Sequence, residues 1–126
     1  YVWQQSYPAA SIKASGGMIA AGSDSPVDTR DPRPLYHIER AVTRGNDATG
    51  KVFNSAERLS LKDALDAYTI NGAYLAHREN QTGRLKPGYK ADLVVLGANL
   101  FELAPSEIGE VPIVMTLFEG QKVYPK

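Results

Sequence analysis

The chain has 126 residues, with 14 Lys plus Arg against 14 Asp plus Glu, a formal net charge of +0 at pH 7. That length suits one domain, and the charge balance excludes a long basic footprint for nucleic acid or anionic lipid. No cysteine is present, which excludes disulfides, thiolate catalysis and cysteine-held zinc or iron–sulfur centres, and points to a cytoplasmic protein. Hydrophobic residues make up 43% and charged residues 22%, values of a folded globular chain and not of a disordered one. The two histidines, His37 and His77, are too few for a self-contained His-rich metal site. No apolar run reaches the roughly 18 to 20 residues of a membrane span. The opening Tyr1-Val2-Trp3-Gln4-Gln5 has no initiator Met and no basic-then-apolar signal pattern. It reads as a piece of a longer protein.

In chain order, residues 6–15 carry Ala9, Ala10, Ile12, Lys13 and Ala14 in a short helical pattern that Gly16-Gly17 ends. Met18-Ile19-Ala20-Ala21-Gly22 is an unbroken apolar run bounded by glycines, which predicts a buried strand of the parallel type. It leads into the polar loop Ser23-Asp24-Ser25-Pro26. The front third is therefore expected to be α/β. Pro32 and Pro34 restrict a loop, after which Leu35, Ile38, Ala41 and Val42 fall at helical spacing. Residues 45–54 are polar and glycine-bearing, hence loop. Ser60 and Asp63 suggest a capping box. Behind them Leu61, Ala64, Leu65, Tyr68 and Thr69 form one helical stripe, and the helix is expected to run to about Leu75.

Beyond Ala76 the chain turns β-rich. Lys86-Pro87-Gly88 suits a type II turn. Strands are expected over residues 91–96 and 111–118, the second joined through Glu119-Gly120 to residues 121–124 as a hairpin. Residues 105–108 fit one helical turn. Three short strands alone make a marginal sheet, so further strands from elsewhere or from a partner are expected.

Gly45-Asn46-Asp47-Ala48-Thr49-Gly50-Lys51 has the spacing of a phosphate-binding loop up to its lysine. Val52 stands where the magnesium-binding hydroxyl belongs, and the segment follows a helical pattern, so it reads as a solvated loop. Asn80-Gln81-Thr82 is a glycosylation triplet with meaning only in a secreted eukaryotic chain, and reads as chance. His37 is a partly exposed helix histidine, with substrate contact as its functional alternative. His77 lies near a helix end, where the dipole favours it. Neither has a second His at i+4, so no local zinc motif exists.

Asp24 lies just past the apolar run and Gly22-Ser23. In parallel α/β folds the chemistry sits at the C-terminal ends of strands. There an aspartate can ligate a metal, orient a water or take its proton. An Asx-turn or a helix cap before Pro26 would also favour Asp. Spacing leaves both readings open.

Gly22-Ser23-Asp24-Ser25-Pro26-Val27, Asp31-Pro32 and Ala41-Val42-Thr43-Arg44 together resemble the last barrel strand and following helix of amidohydrolase family 3. Glu57-Arg58-Leu59-Ser60 and Ala67-Tyr68-Thr69-Ile70-Asn71-Gly72-Ala73-Tyr74 resemble that family's next helix. Residues 83–96, from Gly83-Arg84-Leu85 to Val94-Val95-Leu96, resemble the return of such chains into their second domain. The resemblance implies a (β/α)₈ barrel with a β-sandwich built from strands at both chain ends. A complete barrel takes about 250 residues, so this chain would be its C-terminal part. Residues 1–80 would be the end of the barrel, and residues 81–126 sandwich strands. It implies hydrolysis of non-peptide C–N bonds in small amide or formamide-like substrates, with one or two divalent ions, usually zinc. Asp24 matches the family's aspartate at the end of the eighth strand, which binds metal and handles the proton of the attacking water. The family's His-x-His pair and its other ligands have no counterpart here, so the fragment by itself is expected to be inactive. No nucleic acid or membrane partner is expected, and open sheet edges favour a homo-oligomer. The competing reading is a non-catalytic module that uses its β-rich tail to pair with another chain.

Overall fold

The computed structural model describes residues 6–27, 30–46 and 49–125. The phosphate-loop-like segment therefore falls partly outside the described residues, at Asp47 and Ala48. Helix α1 spans Ala9–Ala14 and ends as its glycines predict. The Gly17 N–H reaches the Ile12 carbonyl at 2.8 Å and the Gly16 N–H reaches that of Lys13 at 3.0 Å. Gly16, at φ +85°, supplies the left-handed residue of this Schellman ending. Helix α2, Pro34–Thr43, opens on a proline that needs no intrahelical donor. Strands β1, Gly45–Asn46, and β2, Lys51–Val52, pair in a two-residue antiparallel ladder within the expected loop.

Helix α3, Leu61–Tyr68, starts at Ser60, whose hydroxyl oxygen accepts from the Asp63 N–H at 3.1 Å. The reciprocal half of the expected capping box is different. The Ser60 hydroxyl donates to the Asp63 carboxylate at 2.7 Å, because the Asp side chain is short. The expected single helix over residues 60–75 is two helices. Thr69, at φ −123° and ψ −91°, breaks it before α4, Ile70–Leu75. Its N–H bonds the Asp66 carbonyl at 3.2 Å and its hydroxyl bonds that of Leu65 at 2.8 Å. Side-chain competition of this kind disfavours Thr in helix interiors.

The expected turn after Lys86 is present, with the Tyr89 N–H on the Lys86 carbonyl at 3.0 Å and Gly88 at φ +87°. Strands β3, Leu93–Leu96, β4, Ile113–Phe118, and β5, Gln121–Tyr124, form an antiparallel sheet in the order β3-β4-β5. A register shift falls between Val95 and Leu96. The β4–β5 turn places Glu119 at φ +50° and Gly120 at φ +81°, the signs a type I′ hairpin turn requires. Residues 105–108 extend into a 3₁₀ helix, Pro105–Glu110.

The core joins the front and back of the chain. Ile38, Leu59 and Ala64 cluster with Leu100, Ile108 and Val111, and Leu65 and Tyr68 pack against them while partly exposed. Glu57 secures α1 from outside, accepting from the Ser11 N–H at 2.8 Å and from its hydroxyl. Those bonds, the hydroxyl's first, hold the Glu57 carboxyl below its ordinary range. Lys13 pairs with Asp63 at 3.0 Å across α1 and α3. Among the described residues, no helix is long and apolar enough to cross a membrane.

The strand expected over residues 18–22 is also overturned. Residues 18–22 have no regular secondary structure and are not a strand, and Met18 is 55% exposed. Both described sheets are antiparallel. A strand exists only through a neighbouring strand's hydrogen bonds, and a helix break lies beside this run instead. The fold described is thus mixed helix and strand with a small antiparallel sheet.

Candidate functional site

Asp24 stands two residues past this apolar run. Its own backbone is left-handed, at φ +50°, a conformation that Asp tolerates better than most residues. The Asp24 carbonyl accepts from the Val27 N–H at 2.8 Å, and Ser23 Oγ accepts from the Ser25 N–H at 3.2 Å. Main chain and the Ser23 hydroxyl therefore close this turn. The exposed Asp24 carboxylate takes no hydrogen bond among the described residues, so the turn-capping reading finds no support in its side chain.

Two hydrogen bonds from the α3–α4 break hold the run that leads to Asp24. The Ala21 N–H donates to the Ala67 carbonyl at 3.1 Å, and the Asn71 Nδ2 donates to the Ile19 carbonyl at 2.8 Å. Asn71 is buried to 8% exposure. Sequence reasoning passed over it. Its signal was a polar, poor helix-former within the helical stretch Tyr68-Thr69-Ile70-Asn71-Gly72.

The histidines are elsewhere in the architecture. His37 Nε2 lies 2.7 Å from the Asp31 carbonyl oxygen, and its ring meets Tyr36 edge-on at 5.4 Å. Arg33 holds the neighbouring Asp31 carboxylate at 2.8 Å, and this bond depresses the Asp31 carboxyl below its ordinary range. His77 is exposed past the end of α4, at φ +55°, with its N–H on the Tyr74 carbonyl at 3.0 Å.

The metal centre implied by the resemblance needs several ligands in one place. Among the described residues, no three His, Asp or Glu side chains come together in a way that could hold an ion. One exposed carboxylate does not make a divalent-ion site, so this donor set does not fit a complete centre.

A cavity of about 600 Å³ lies away from Asp24, between the α3–α4 break and β3, lined by Tyr68, Thr69, Ala73, Thr82 and Leu93. The Tyr68 hydroxyl is buried without a hydrogen-bond partner among the described residues, and burial pushes its phenol up.

Against known proteins, the model of the amidohydrolase family matches residues 2–124. The chain belongs to the amidohydrolase family. Bacillus subtilis YtcJ is 33% identical over 115 residues, which are 90% of this chain and 21% of that protein. The N-substituted formamide deformylase of Arthrobacter pascens is 29% identical over 114 residues, 90% of this chain and 20% of that enzyme. This amidohydrolase chain thus spans about a fifth of the length of the curated relatives it matches. The crystal structure of an amidohydrolase from Thermotoga maritima superposes with a TM-score of 0.67 over 93% of this chain and 25% of that one. At 21% identity this likeness shows the fold.

Proposed function

We propose that this chain is the C-terminal part of a hydrolase that cleaves C–N bonds in small non-peptide amides such as N-substituted formamides. Residues 1–80 would close a (β/α)₈ barrel and residues 81–126 would belong to a β-sandwich. The observation that carries the reading is the Asp24 carboxylate, exposed and without a hydrogen bond among the described residues, just past an apolar run. In this role Asp24 takes the proton of the water that attacks the carbonyl carbon. It then delivers that proton to the nitrogen as the C–N bond breaks, leaving an acid and an amine. General-base help of this kind contributes about 10²–10⁴-fold in rate. The family reading calls for a divalent ion, zinc first, and this chain would contribute one of its ligands, Asp24, the rest coming from outside it.

The name of the formamide deformylase relative supports that substrate class. Neutral overall charge favours a small molecule over nucleic acid or a membrane surface as the partner, and the lack of cysteine favours the cytoplasm. The exposed apolar residues of the sheet, Val94, Val114 and Phe118 among them, support a covering layer from the rest of the protein or a second copy. The test is amine release by the full-length protein from a panel of N-alkyl and N-aryl formamides and lactams, with Asp24→Asn beside it. Turnover in the wild type and its loss in Asp24→Asn are expected. Absence of turnover on the panel, or undiminished turnover in the variant, overturns the reading.

A further inference from the structure

We infer that Asn71 is a positioning residue for Asp24. With the Ala67 carbonyl, it takes the place of a neighbouring strand against the run that leads to Asp24. This inference rests on the proton-accepting role proposed for Asp24 and adds the device that aims it.

In a parallel ladder, one residue serves two positions of its neighbour, donating its N–H to one carbonyl and accepting from the N–H two residues on. Around Ala20 the same pattern is met without a strand. The Asn71 side-chain amide donates to the Ile19 carbonyl at 2.8 Å, and the Ala67 carbonyl accepts from the Ala21 N–H at 3.1 Å. The break at Thr69 makes this arrangement available. An α-helix leaves the carbonyls of its last turn without intrahelical donors. Thr69 takes two of these, at Leu65 and Asp66, and that of Ala67 turns to Ala21.

A buried Asn is costly unless its amide is satisfied, and Asn71 at 8% exposure meets that demand on a residue 52 positions away. From Ala21 to Asp24 the chain advances three residues, at most about 10 Å. The two bonds thus set where the Asp24 turn begins. Misplacing a reacting group by about 1 Å can cost on the order of 10²-fold in rate.

The experiment is a double-mutant cycle in the full-length protein, using the best substrate of the formamide and lactam panel. Its members are wild type, Asn71→Leu, Asp24→Asn and the double variant. Leu keeps the branched shape of the Asn side chain without its amide, although it is bulkier, and Asn71→Ala serves if Asn71→Leu does not fold. For Asn71→Leu, kcat is expected to fall roughly 10- to 100-fold with KM unchanged. In the Asp24→Asn background the same change is expected to lower kcat no further, because the group being aimed is already gone. A merely structural loss would lower kcat equally in both backgrounds, and that result overturns the inference. So does full turnover in Asn71→Leu while Asp24→Asn is impaired, which leaves the role of Asp24 standing. Undiminished turnover in Asp24→Asn, or none in the wild type, removes the underlying reading and the inference with it. Hydrogen exchange in the full-length protein supplies a readout without catalysis. The Ala21 amide is expected to lose protection in Asn71→Leu while the Ala73 amide, bonded to the Thr69 carbonyl at 3.0 Å, keeps it. Unchanged Ala21 protection counts against the device.

Discussion

The Glu39 carboxylate, buried on α2, accepts a hydrogen bond from the Gly109 N–H at 2.9 Å and so ties that helix to the 3₁₀ helix of residues 105–110. A Cβ at position 109 would lie 3.0 Å from Glu39 Oε2 and 3.4 Å from the Tyr36 Cα. Glu39→Ala leaves the Gly109 N–H buried and unpaired, a loss of about 1–3 kcal/mol. Glu39→Gln retains an acceptor and is expected to cost less. Gly109→Ala makes the Glu39 carboxylate give by a few tenths of an ångström and is expected to weaken this bond. Urea unfolding followed by circular dichroism checks all three.

Ile108 has 1% of its surface exposed, so Ile108→Ala is expected to cost about 2–5 kcal/mol. Leu65 only borders that cluster and is partly exposed. Leu65→Ala should therefore fall below that range, since part of its surface is never removed from water. Equal losses at the two positions would contradict the packing described.

Asp92 anchors the β-hairpin from outside the strands. Its carboxylate accepts from the Glu119 N–H at 2.8 Å and from the Thr82 hydroxyl at 3.0 Å. The Glu119 N–H first, then the Thr82 hydroxyl, hold the Asp92 carboxyl below the usual carboxylate value of 3.8. A depressed folded-state value means stability that is present above pH 3.8 and fades as pH falls through the folded-state value. Asp92→Asn should flatten that acid limb without changing its direction, because Asp31, Glu57 and Asp63 are shifted the same way. Melting temperatures from about pH 6 down to about pH 2 report it.

For the 126-residue chain by itself, elemental analysis after dialysis should find no stoichiometric zinc, and Asp24→Asn should leave that unchanged. The described residues bring no three ligands together. In the full-length protein the same substitution is expected to lower turnover about 10²–10⁴-fold. A stoichiometric ion bound by the isolated chain would mean that its own side chains complete a site.

The sheet exposes Val94 at 50%, Val114 at 52% and Phe118 at 60%, and β5 is exposed along its whole length. Exposed apolar strands at a sheet edge invite pairing with other chains. The isolated chain is expected to self-associate in light scattering as concentration rises, and Phe118→Lys to reduce that association. A monomer at high concentration in the unsubstituted chain would argue against an unpartnered apolar sheet.

Local chemistry made much of the fold legible. Gly16-Gly17, Ser60, Pro87-Gly88 and Glu119-Gly120 each act within a few residues, so their caps and turns could be read before any packing was known, whereas Pro34 reads as loop and opens a helix. The residue runs that carried the family resemblance were equally legible, because a motif is a property of sequence order. Asp24 could be singled out for the same reason, as a carboxylate just beyond an apolar run.

Tertiary structure decided what depends on a neighbour. Met18-Ile19-Ala20-Ala21-Gly22 has the composition of a buried strand, yet strand pairing requires another strand, and here a helix break supplies the hydrogen bonds. The stripe through Leu61, Leu65 and Tyr68 continues past Thr69 in its pattern, but Thr69 itself bonds back to Leu65 and Asp66 and ends the helix. Asp92 looked like a strand residue until Glu119, 27 positions away, was found bonded to it. Asn71 had no visible task until Ile19 lay beside it. Caps, turns and periodicity follow from interactions a few residues long, which sequence order records directly. Buried polar partners lie tens of residues apart and form only once the chain has packed.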